Sequence, residues 1–216
     1  PRVTPFLLVL SSPSGGGKTT ISKRLLATRS DVGYSISATT RAPRAGERDG
    51  VDYHFLSRDE FERRRDAGDF AEWAEYNGQL YGTLARELER VASVGKHAVL
   101  DIDVEGARQL RRSVPDGVHV FVLPPAAEVL ARRLKGRNSE PPEQVRRRLE
   151  HAATELAAAG EYDYIVVNDD LDAAVRQVEA IIDAESHRTI RLGGLPQAIG
   201  RLRRSVGAEA TGITTA

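Results

Sequence analysis

A glycine-rich loop near the start of the chain has the residue types that bind a phosphate chain. Its sequence from Ser11 to Thr19, SSPSGGGKT, nearly matches GxxxxGK[ST], whose successive backbone N–H groups surround an anion at a helix start. In that pattern the lysine, here Lys18, contacts the β- and γ-phosphates of a nucleotide, and the hydroxyl of Thr19 can ligate Mg²⁺. An ordinary glycine turn before a helix is the structural alternative. The loop follows an apolar run and precedes a helical pattern, which favours the phosphate site.

One position departs from the pattern. Ser12 stands where the pattern has its first glycine, and that glycine often adopts a backbone angle that other residues reach with difficulty. We expect a poorer fit of the loop, with the ring of N–H groups kept.

Two aspartates offer a partner for the metal. Asp101 directly follows the apolar residues Ala98-Val99-Leu100, and Asp103 lies two residues further, on the same side of an extended strand. That side is the crevice at the carboxyl ends of parallel strands, where open α/β sheets bind ligands. We expect Asp101 to hold Mg²⁺ together with Thr19, partly through water. For Asp103, a helix N-cap accounts for the residue equally well.

These residues need a scaffold, and the apolar pattern predicts one. Short apolar runs, each followed by helical spacing, recur along the chain at Phe6 to Leu10, Ala98 to Ile102, Val118 to Leu123 and Tyr164 to Val167. Alternation of this kind favours a parallel sheet covered by helices, with the first helix reaching about Ala27.

Two segments interrupt this alternation. Residues 37–95 contain an Arg/Pro/Gly-rich stretch, an alternating run from Val51 to Phe55, a polar helix and a strand from Phe70 to Tyr76, which together predict an inserted mixed α/β lobe. Residues 132–150 are basic, a composition typical of a polyanion site or a solvated helix. The basic residues of this second segment are Arg132, Arg133, Lys135, Arg137, Arg146, Arg147 and Arg148.

The amino-acid composition excludes several classes of function and of metal site. Lys plus Arg and Asp plus Glu both number 31, so no general positive field predicts a nucleic-acid or membrane binder. The chain has no Cys, which excludes disulfides and thiolate metal sites and leaves oxygen ligands. No long apolar run stands near the N-terminus, and we therefore expect a cytoplasmic protein.

From the loop to about Arg188 the sequence resembles the guanylate kinase family of P-loop nucleoside monophosphate kinases, bacterial type. Six blocks in one order carry the resemblance. They are Ser37-Ala38-Thr39-Thr40-Arg41 with Pro43-Arg44, Gly50-Val51-Asp52-Tyr53-His54-Phe55, Glu72-Trp73-Ala74, Tyr81-Gly82-Thr83, Asp101-Ile102-Asp103-Val104-Glu105-Gly106 and Val167-Asn168-Asp169-Asp170.

The resemblance implies transfer of the terminal phosphoryl group of ATP to GMP, and to dGMP, in purine nucleotide metabolism and GMP recycling. It implies that the GMP phosphate is held by Arg41, Arg44, Tyr53 and Tyr81, and that guanine is lined by Ser37, Glu72, Thr83 and Asp103. The implied ATP contacts are Ser12, Pro13, Ser14, Gly15, Gly16, Gly17, Lys18, Thr19, Thr20, Arg133, Arg137 and Asn168. The implied catalytic residues are Lys18, Arg41, Arg137 and Arg148.

The chemistry of these residues agrees independently. Guanidinium groups and phenol hydroxyls suit a dianionic phosphate. A carboxylate such as Glu72 can accept hydrogen bonds from N1–H and N2–H₂ of guanine, whereas adenine has no proton at N1. Taken singly, Arg41 and Arg44 fit a solvated loop, Glu72 an exposed strand, and the two tyrosines packing residues.

Three other functions compete. Guanylate-kinase-like scaffold domains bind phosphorylated peptides without catalysis, but they tend to lack an intact loop, which this chain has. A kinase of another acceptor, such as a ribose bisphosphate, would not need the base pocket of Glu72, Ser37 and Asp103. A nucleic-acid binder is disfavoured by the neutral net charge.

We therefore predict one guanylate-kinase-like domain over 1–190, with a three-layer parallel-sheet core (1–36, 96–131 and 151–190), a GMP-binding lobe (37–95) and a helical lid (132–150). The tail 191–216 is expected to be partly disordered, with no fixed structure in the last dozen residues. Its arginines either touch a partner or are solvated, and a homo-oligomer is compatible with the sequence.

Overall fold

The computed structural model describes residues 1–76, 78–135 and 142–214. The strands are β1 (Arg2–Val3), β2 (Leu7–Ser11), β3 (Val32–Tyr34), β4 (Ala38–Thr39), β5 (His54–Phe55), β6 (Phe70–Tyr76), β7 (Gln79–Leu84), β8 (His97–Asp101), β9 (Val118–Leu123), β10 (Tyr164–Val167) and β11 (Leu192–Gly193). The helices are α1 (Lys18–Thr28), α2 (Arg58–Asp66), α3 (Ala85–Ser93), α4 (Val104–Ser113), α5 (Ala127–Lys135), α6 (Pro142–Ala157), α7 (Leu171–Ser186) and α8 (Leu195–Thr214).

The core is a five-stranded sheet in the order β10-β9-β2-β8-β3. Every neighbouring pair in it is parallel. The central strand, β2, is buried along its whole length because its side chains alternate between two apolar clusters. Leu8 and Leu10 join one cluster, and Leu7 and Val9 join the other. The predicted strand, buried on both faces, is confirmed.

Helices cover both faces of this sheet. Leu25 of α1 and Val178 of α7 pack in the cluster on one face, whereas Val91 of α3 and Leu110 of α4 pack on the other. The three-layer α/β core predicted from the alternation of strands and helices is therefore confirmed, and the carboxyl ends of its strands meet at one edge.

A second, mixed sheet is inserted between β3 and β8. Its strand order is β5-β4-β7-β6. It closes on its own apolar cluster, in which the fully buried ring of Phe61 from α2 stacks on Phe70 at 4.3 Å between centroids. The strand expected over Val51 to Phe55 is shorter than predicted and covers only His54 and Phe55. Val51 and Asp52 instead form a turn, and their N–H groups donate to Arg48 O.

The inserted sheet is joined to the core by an amide side chain. Gln109 of α4 donates to Trp73 O at 2.7 Å and accepts from Trp73 N at 3.1 Å. Ser113, one helical turn further along α4, donates to Ala71 O at 3.0 Å. The strand β6 is thus bonded to α4 through its backbone.

The C-terminal segment differs from expectation. We expected no fixed structure in the last dozen residues, but α8 extends through Leu195–Thr214. Leu195, Ile199, Leu202 and Val206 recur at helical spacing, which favours a helix, and the last three of these side chains are exposed. Along the described residues, no helix is both long and apolar enough to cross a membrane.

Candidate active site

The phosphate loop connects β2 to α1, as the sequence predicts. Gly15 and Gly17 have φ angles of 84° and 101°, in the left-handed region that glycine adopts without strain. Gly17 is the N-cap of α1, and its O accepts from Thr20 N and Ile21 N at 3.1 Å each, which leaves the N–H groups of Lys18 and Thr19 without intrahelical partners. These N–H groups and the positive end of the helix dipole form an anion site.

Asn168 holds the loop from the side of β10. Its Nδ2 donates to Gly16 O at 2.9 Å, and its backbone O accepts from Arg133 Nη2 at 3.1 Å. A Cβ at Gly17 would lie 2.2 Å from Asn168 Nδ2, so a glycine is required there by contact as well as by φ. Arg133 Nη1 is buried without a hydrogen-bond partner among the described residues, which suits a phosphate oxygen.

Ser12, the departure from the loop pattern, is buried beneath Gly16. Its Oγ donates to Pro13 O at 3.0 Å. A Cβ at Gly16 would lie 2.7 Å from Ser12 Cβ. The Ser12 side chain therefore packs where a side chain at position 16 would otherwise be. Helix α1 still begins where the pattern requires it.

The two aspartates lie at the carboxyl edge of the core sheet. Asp101 ends β8, and Tyr34 Oη donates to its Oδ1 at 2.9 Å. Burial, together with the charge of Asp101, raises the pKa of Tyr34 above its usual range, so the phenol stays a donor. Asp103 is the N-cap of α4, and its Oδ1 accepts from Gly106 N at 2.8 Å. The capping alternative for Asp103 is therefore present, in a residue that also faces the cavity described next.

A cavity of about 290 Å³ lies between the loop and the inserted sheet. It joins the predicted phosphate end to the predicted base end. Its lining residues are Ser14, Lys18, Ser37, Tyr53, Glu72, Ala74, Tyr81, Gly82, Asp101, Ile102, Asp103, His151 and Glu155. Several predicted site residues do not line it. These are Ser12, Pro13, Gly15, Gly16, Gly17, Thr19, Thr20, Arg41, Arg44, Thr83, Arg133, Arg148 and Asn168.

A larger groove of about 960 Å³ lies at the other end of the core strands, beside Leu7, Ala98 and Val118. Several of its charged groups pair with one another, as Arg111 does with Asp163 at 3.1 Å and Arg191 with Glu185 at 3.1 Å. Ligands of open α/β sheets bind at the carboxyl ends instead, which favours the smaller cavity as the functional site.

Glu72 lines the end of the cavity that is predicted to bind the base. The residue is 6% exposed, and its Oε1 accepts from Thr83 Oγ1 at 2.6 Å. The pKa of Glu72 is raised to about 7. Burial is the main cause, the hydrogen bond from Thr83 opposes the rise, and the charge of Asp103 adds to it. A Cβ at Gly106 would lie 2.7 Å from Glu72 Oε2, so the second oxygen also has little space on the α4 side.

Two of the predicted phosphate-binding residues, Tyr81 and Arg41, lie close to a third, Tyr53. Its ring centroid lies 6.3 Å from that of Tyr81 and 5.4 Å from Arg41 Cζ. Arg41 Nη2 is paired with both oxygens of Glu47, at 2.9 and 3.0 Å, which raises the pKa of the arginine. Arg44 is exposed, and its backbone N–H donates to the same carboxylate at 2.7 Å. Arg41 thus lies beside Tyr53, Arg44 is joined to Arg41 through Glu47, and neither arginine lines the cavity.

The lid residues are described in part. Arg148 of α6 donates from Nη2 to Ser14 Oγ at 3.3 Å, which joins this helix to the glycine-rich loop. The predicted ATP contact and catalytic residue Arg137 lies outside the described residues. Two residues of α6 that the sequence did not single out, His151 and Glu155, line the cavity. They lie far from the loop in sequence, and no local pattern marks them.

A family model described as "Guanylate kinase" matches residues 5–185. The chain belongs to the guanylate kinase family. Guanylate kinases transfer a phosphoryl group from ATP to GMP, so the chain is an ATP:GMP phosphotransferase, and the predicted activity is confirmed.

Individual relatives agree with the guanylate kinase assignment. The guanylate kinase of Geobacter metallireducens is 46% identical over 186 residues, which cover 86% of this chain and 92% of that protein. The guanylate kinase of Symbiobacterium thermophilum is 49% identical over 188 residues, covering 87% and 89%. The crystal structure of guanylate kinase from Anaplasma phagocytophilum superposes with a TM-score of 0.75 at 34% identity, covering 91% of this chain and 94% of that chain.

The donor set at the loop suits Mg²⁺. No group of three His, Cys, Asp or Glu side chains that could hold a metal occurs within residues 1–76, 78–135 and 142–214. Mg²⁺ in kinases usually takes one or two protein oxygens, with phosphate oxygens and water completing its octahedron. Thr19 at the start of α1 and Asp101 at the end of β8 are hard oxygen donors of this kind.

Proposed function

We propose that ATP places its phosphates on the loop from Ser12 to Thr20, and that GMP occupies the adjoining cavity with guanine at Glu72. The observation that carries this proposal is the cavity itself, which contains Lys18 at one end and the buried carboxylate of Glu72 at the other. A kinase of two nucleotides needs a phosphate site and a base site facing a common space.

Guanine recognition at Glu72 follows from charge and hydrogen bonding. The carboxylate oxygens accept from N1–H and N2–H₂ of guanine, while Ser37 and Asp103 lie in the same lining and can bond the remaining edge. Thr83 donates to Glu72 Oε1 and fixes the orientation of the carboxylate before the base arrives. Adenine would leave the carboxylate without a donor at N1, so guanine is preferred.

The GMP phosphate is assigned to Tyr53, Tyr81, Arg41 and Arg44. Arg41 is paired with Glu47, whose pKa is lowered by that pair. The guanidinium is therefore already oriented beside Tyr53 and can bind the dianionic phosphate with its remaining N–H groups.

Phosphoryl transfer needs positioning and neutralisation of charge on the equatorial oxygens. We assign that work to Lys18, to Arg41 and to the lid residues Arg137 and Arg148, while Arg133 and Asn168 hold the ATP side. When bound, Mg²⁺ would be held by Thr19 and Asp101, partly through water, and would supply positive charge that neutralises the phosphates. The GMP phosphate is itself the nucleophile, so no side chain need act as a strong base.

Several finer assignments remain predictions. We expect dGMP to serve as well as GMP, because none of the assigned residues is required at the ribose 2′ position. A cytoplasmic location, a role in purine nucleotide metabolism and a homo-oligomeric state also remain predictions.

The assignment is tested by separating the two substrate sites in a coupled assay of ADP release. GMP, AMP, UMP and CMP are compared as acceptors for the parent protein, and GMP alone should support strong activity. Arg41→Met should raise KM for GMP and leave KM for ATP unchanged. Lys18→Met should leave the fold intact and lower kcat by about 10² to 10³, as expected for loss of a preorganised charge.

Arg48→Met is the matched control, since Arg48 is exposed and belongs to the same basic loop as Arg41. It should behave as the parent does. Activity of Lys18→Met within threefold of the parent, or an equal effect of the Arg41 and Arg48 changes on GMP, would refute the site assignment.

A further inference from the structure

We infer that Glu155 is a positioning residue for the ATP site, through which helix α6 holds the phosphate loop in its binding conformation. This inference rests on the proposed assignment of the loop to ATP. It adds a residue that neither the loop pattern nor the resemblance indicates.

The contact is a hydrogen bond between the loop backbone and the helix. Ser14 N donates to Glu155 Oε2 at 3.0 Å, and Arg148 Nη2 donates to Ser14 Oγ at 3.3 Å. Ser14 is thus held at its backbone and at its side chain by the same helix. Arg148, His151 and Glu155 lie at i, i+3 and i+7, on one face of α6. That face is therefore the one that meets the loop.

Glu155 is built into the site. The residue is 8% exposed, and a carboxylate at that depth requires hydrogen bonds to its charged form. Ser14 N provides one bond, and His151 Nδ1 lies 3.3 Å from the same oxygen. A chance surface contact would show neither this burial nor this second partner.

The loop needs such a support because its glycines cannot restrain it. Gly15 and Gly17 both have positive φ, and a segment of this kind has many alternative conformations when it is not held. Asn168 bonds Gly16 O on one side, and Glu155 bonds Ser14 N on the other. Together the two side chains fix the loop at positions on both sides of Gly15.

A different role for the same contact would be competition, in which the carboxylate takes the place of a phosphate. The geometry favours support. The first N–H group of α1 belongs to Lys18, four residues after Ser14. Among the described residues, Glu155 accepts from Ser14 N and from no N–H group at the start of α1. The carboxylate therefore bonds the outer part of the loop and leaves the helix start for the phosphates.

The test measures equilibrium binding of a non-hydrolysable ATP analogue and of GMP separately, by calorimetry, in Glu155→Ala and Glu155→Gln. Loss of a hydrogen bond to a charged group should weaken binding of the ATP analogue about 10- to 100-fold in Glu155→Ala. The Kd for GMP should stay within about twofold. Glu155→Gln keeps an acceptor oxygen for Ser14 N and should recover most of the affinity, with a loss of about threefold. Glu150→Gln, an exposed change on the same helix, is the control and should match the parent.

Tighter binding of the ATP analogue by Glu155→Ala would show competition and overturn the inference, as would an unchanged Kd. An equal loss for GMP would indicate general damage and overturn it too. If Glu155→Ala does not fold, Glu155→Gln decides, and an unchanged Kd for the analogue then counts against positioning. Lys18→Met separates the two proposals. If it does not weaken the analogue either, the loop is not the ATP site and the proposed function fails, whereas failure of the Glu155 variants alone removes only this inference.

Discussion

Replacing Glu72 with glutamine should stabilise the free protein at alkaline pH while damaging its function. The physical reason is the pKa of about 7, raised by burial of the carboxylate. When the pKa of a glutamate is higher in the folded than in the unfolded protein, the folded protein binds more protons at every pH between the two pKa values. Its contribution to the free energy of unfolding therefore falls as pH rises from about 4.5 to about 7, and stays low above that range.

The magnitude follows from the shift. Each pKa unit corresponds to about 1.36 kcal/mol, so the difference between 7 and 4.5 gives a cost of at most about 3 kcal/mol at pH 8. Glutamine keeps an oxygen to accept from Thr83 Oγ1 and carries no charge, so Glu72→Gln removes that cost. For a chain of this size, about 3 kcal/mol corresponds to a rise in Tm of roughly 6 to 12 °C. At pH 4.5 the two proteins should melt at nearly the same temperature.

Binding of GMP should become tighter as pH rises, whereas the stability of the free protein falls. Guanine donates its N1–H and N2–H₂ to the charged carboxylate, so GMP competes with the proton on Glu72. The charged fraction rises about tenfold between pH 6 and pH 8 for a pKa of about 7, and KM for GMP should fall by about that factor. In Glu72→Gln this dependence should disappear, leaving only the titration of the GMP phosphate, whose second pKa is about 6. The variant should also lose kcat/KM for GMP strongly and gain for AMP relative to GMP, with KM for ATP little changed.

The assay combines thermal melts at pH 4.5 and pH 8 with coupled kinetics at saturating ATP. Glu75→Gln is the matched control, because Glu75 lies on the same strand with its side chain 52% exposed. If Glu72→Gln melts like the parent at pH 8, the carboxylate is not destabilising in the folded protein. If the ratio of GMP to AMP is unchanged, Glu72 does not recognise the base, even where kinase activity is retained.

Three further predictions concern the loop, the metal and the lobes. Gly17→Ala should lower kcat/KM for ATP at least about 10²-fold at nearly unchanged fold, because its Cβ would lie 2.2 Å from Asn168 Nδ2 and φ is 101°. Activity within threefold of the parent would contradict this. Tyr34→Phe removes the hydroxyl that donates to Asp101 Oδ1 and should raise the Mg²⁺ concentration for half-maximal rate about tenfold, and an unchanged Mg²⁺ titration would count against Asp101 as a ligand. A bisubstrate analogue should reduce the radius of gyration in X-ray scattering, since the predicted GMP lobe and lid are separate excursions from the core. A value equal to that of the free protein would exclude closure.

Local patterns were sufficient for the scaffold. The run from Phe6 to Leu10 predicts a strand buried on both faces because no polar residue interrupts it, and β2 is that strand. The loop pattern predicts a helix directly after the loop for a similar reason, since glycine and lysine at fixed spacing specify a local backbone conformation, and α1 begins at Lys18.

Contacts between distant segments were not predictable in this way. Glu155 and Ser14 are 141 residues apart, and nothing in the sequence around either one indicates the other. The pairing of Gln109 with Trp73 is hidden for the same reason. For α8 the spacing of Ile199, Leu202 and Val206 is helical, whereas the Gly/Ala/Thr-rich composition of the tail predicts no fixed structure in its last dozen residues.

Asp103 restricts the routes by which this protein could change its base preference. The same carboxyl caps α4 and lies in the cavity lining beside Glu72. Most substitutions that would reshape the pocket at this position also remove the cap, at a cost of about 1 kcal/mol. Asparagine is the exception, since it caps helices as well as aspartate does and removes the negative charge. A library that selects for a different acceptor base should therefore recover asparagine at position 103 more often than any apolar residue. One side chain contributes here both to the choice of base and to the stability of the helix.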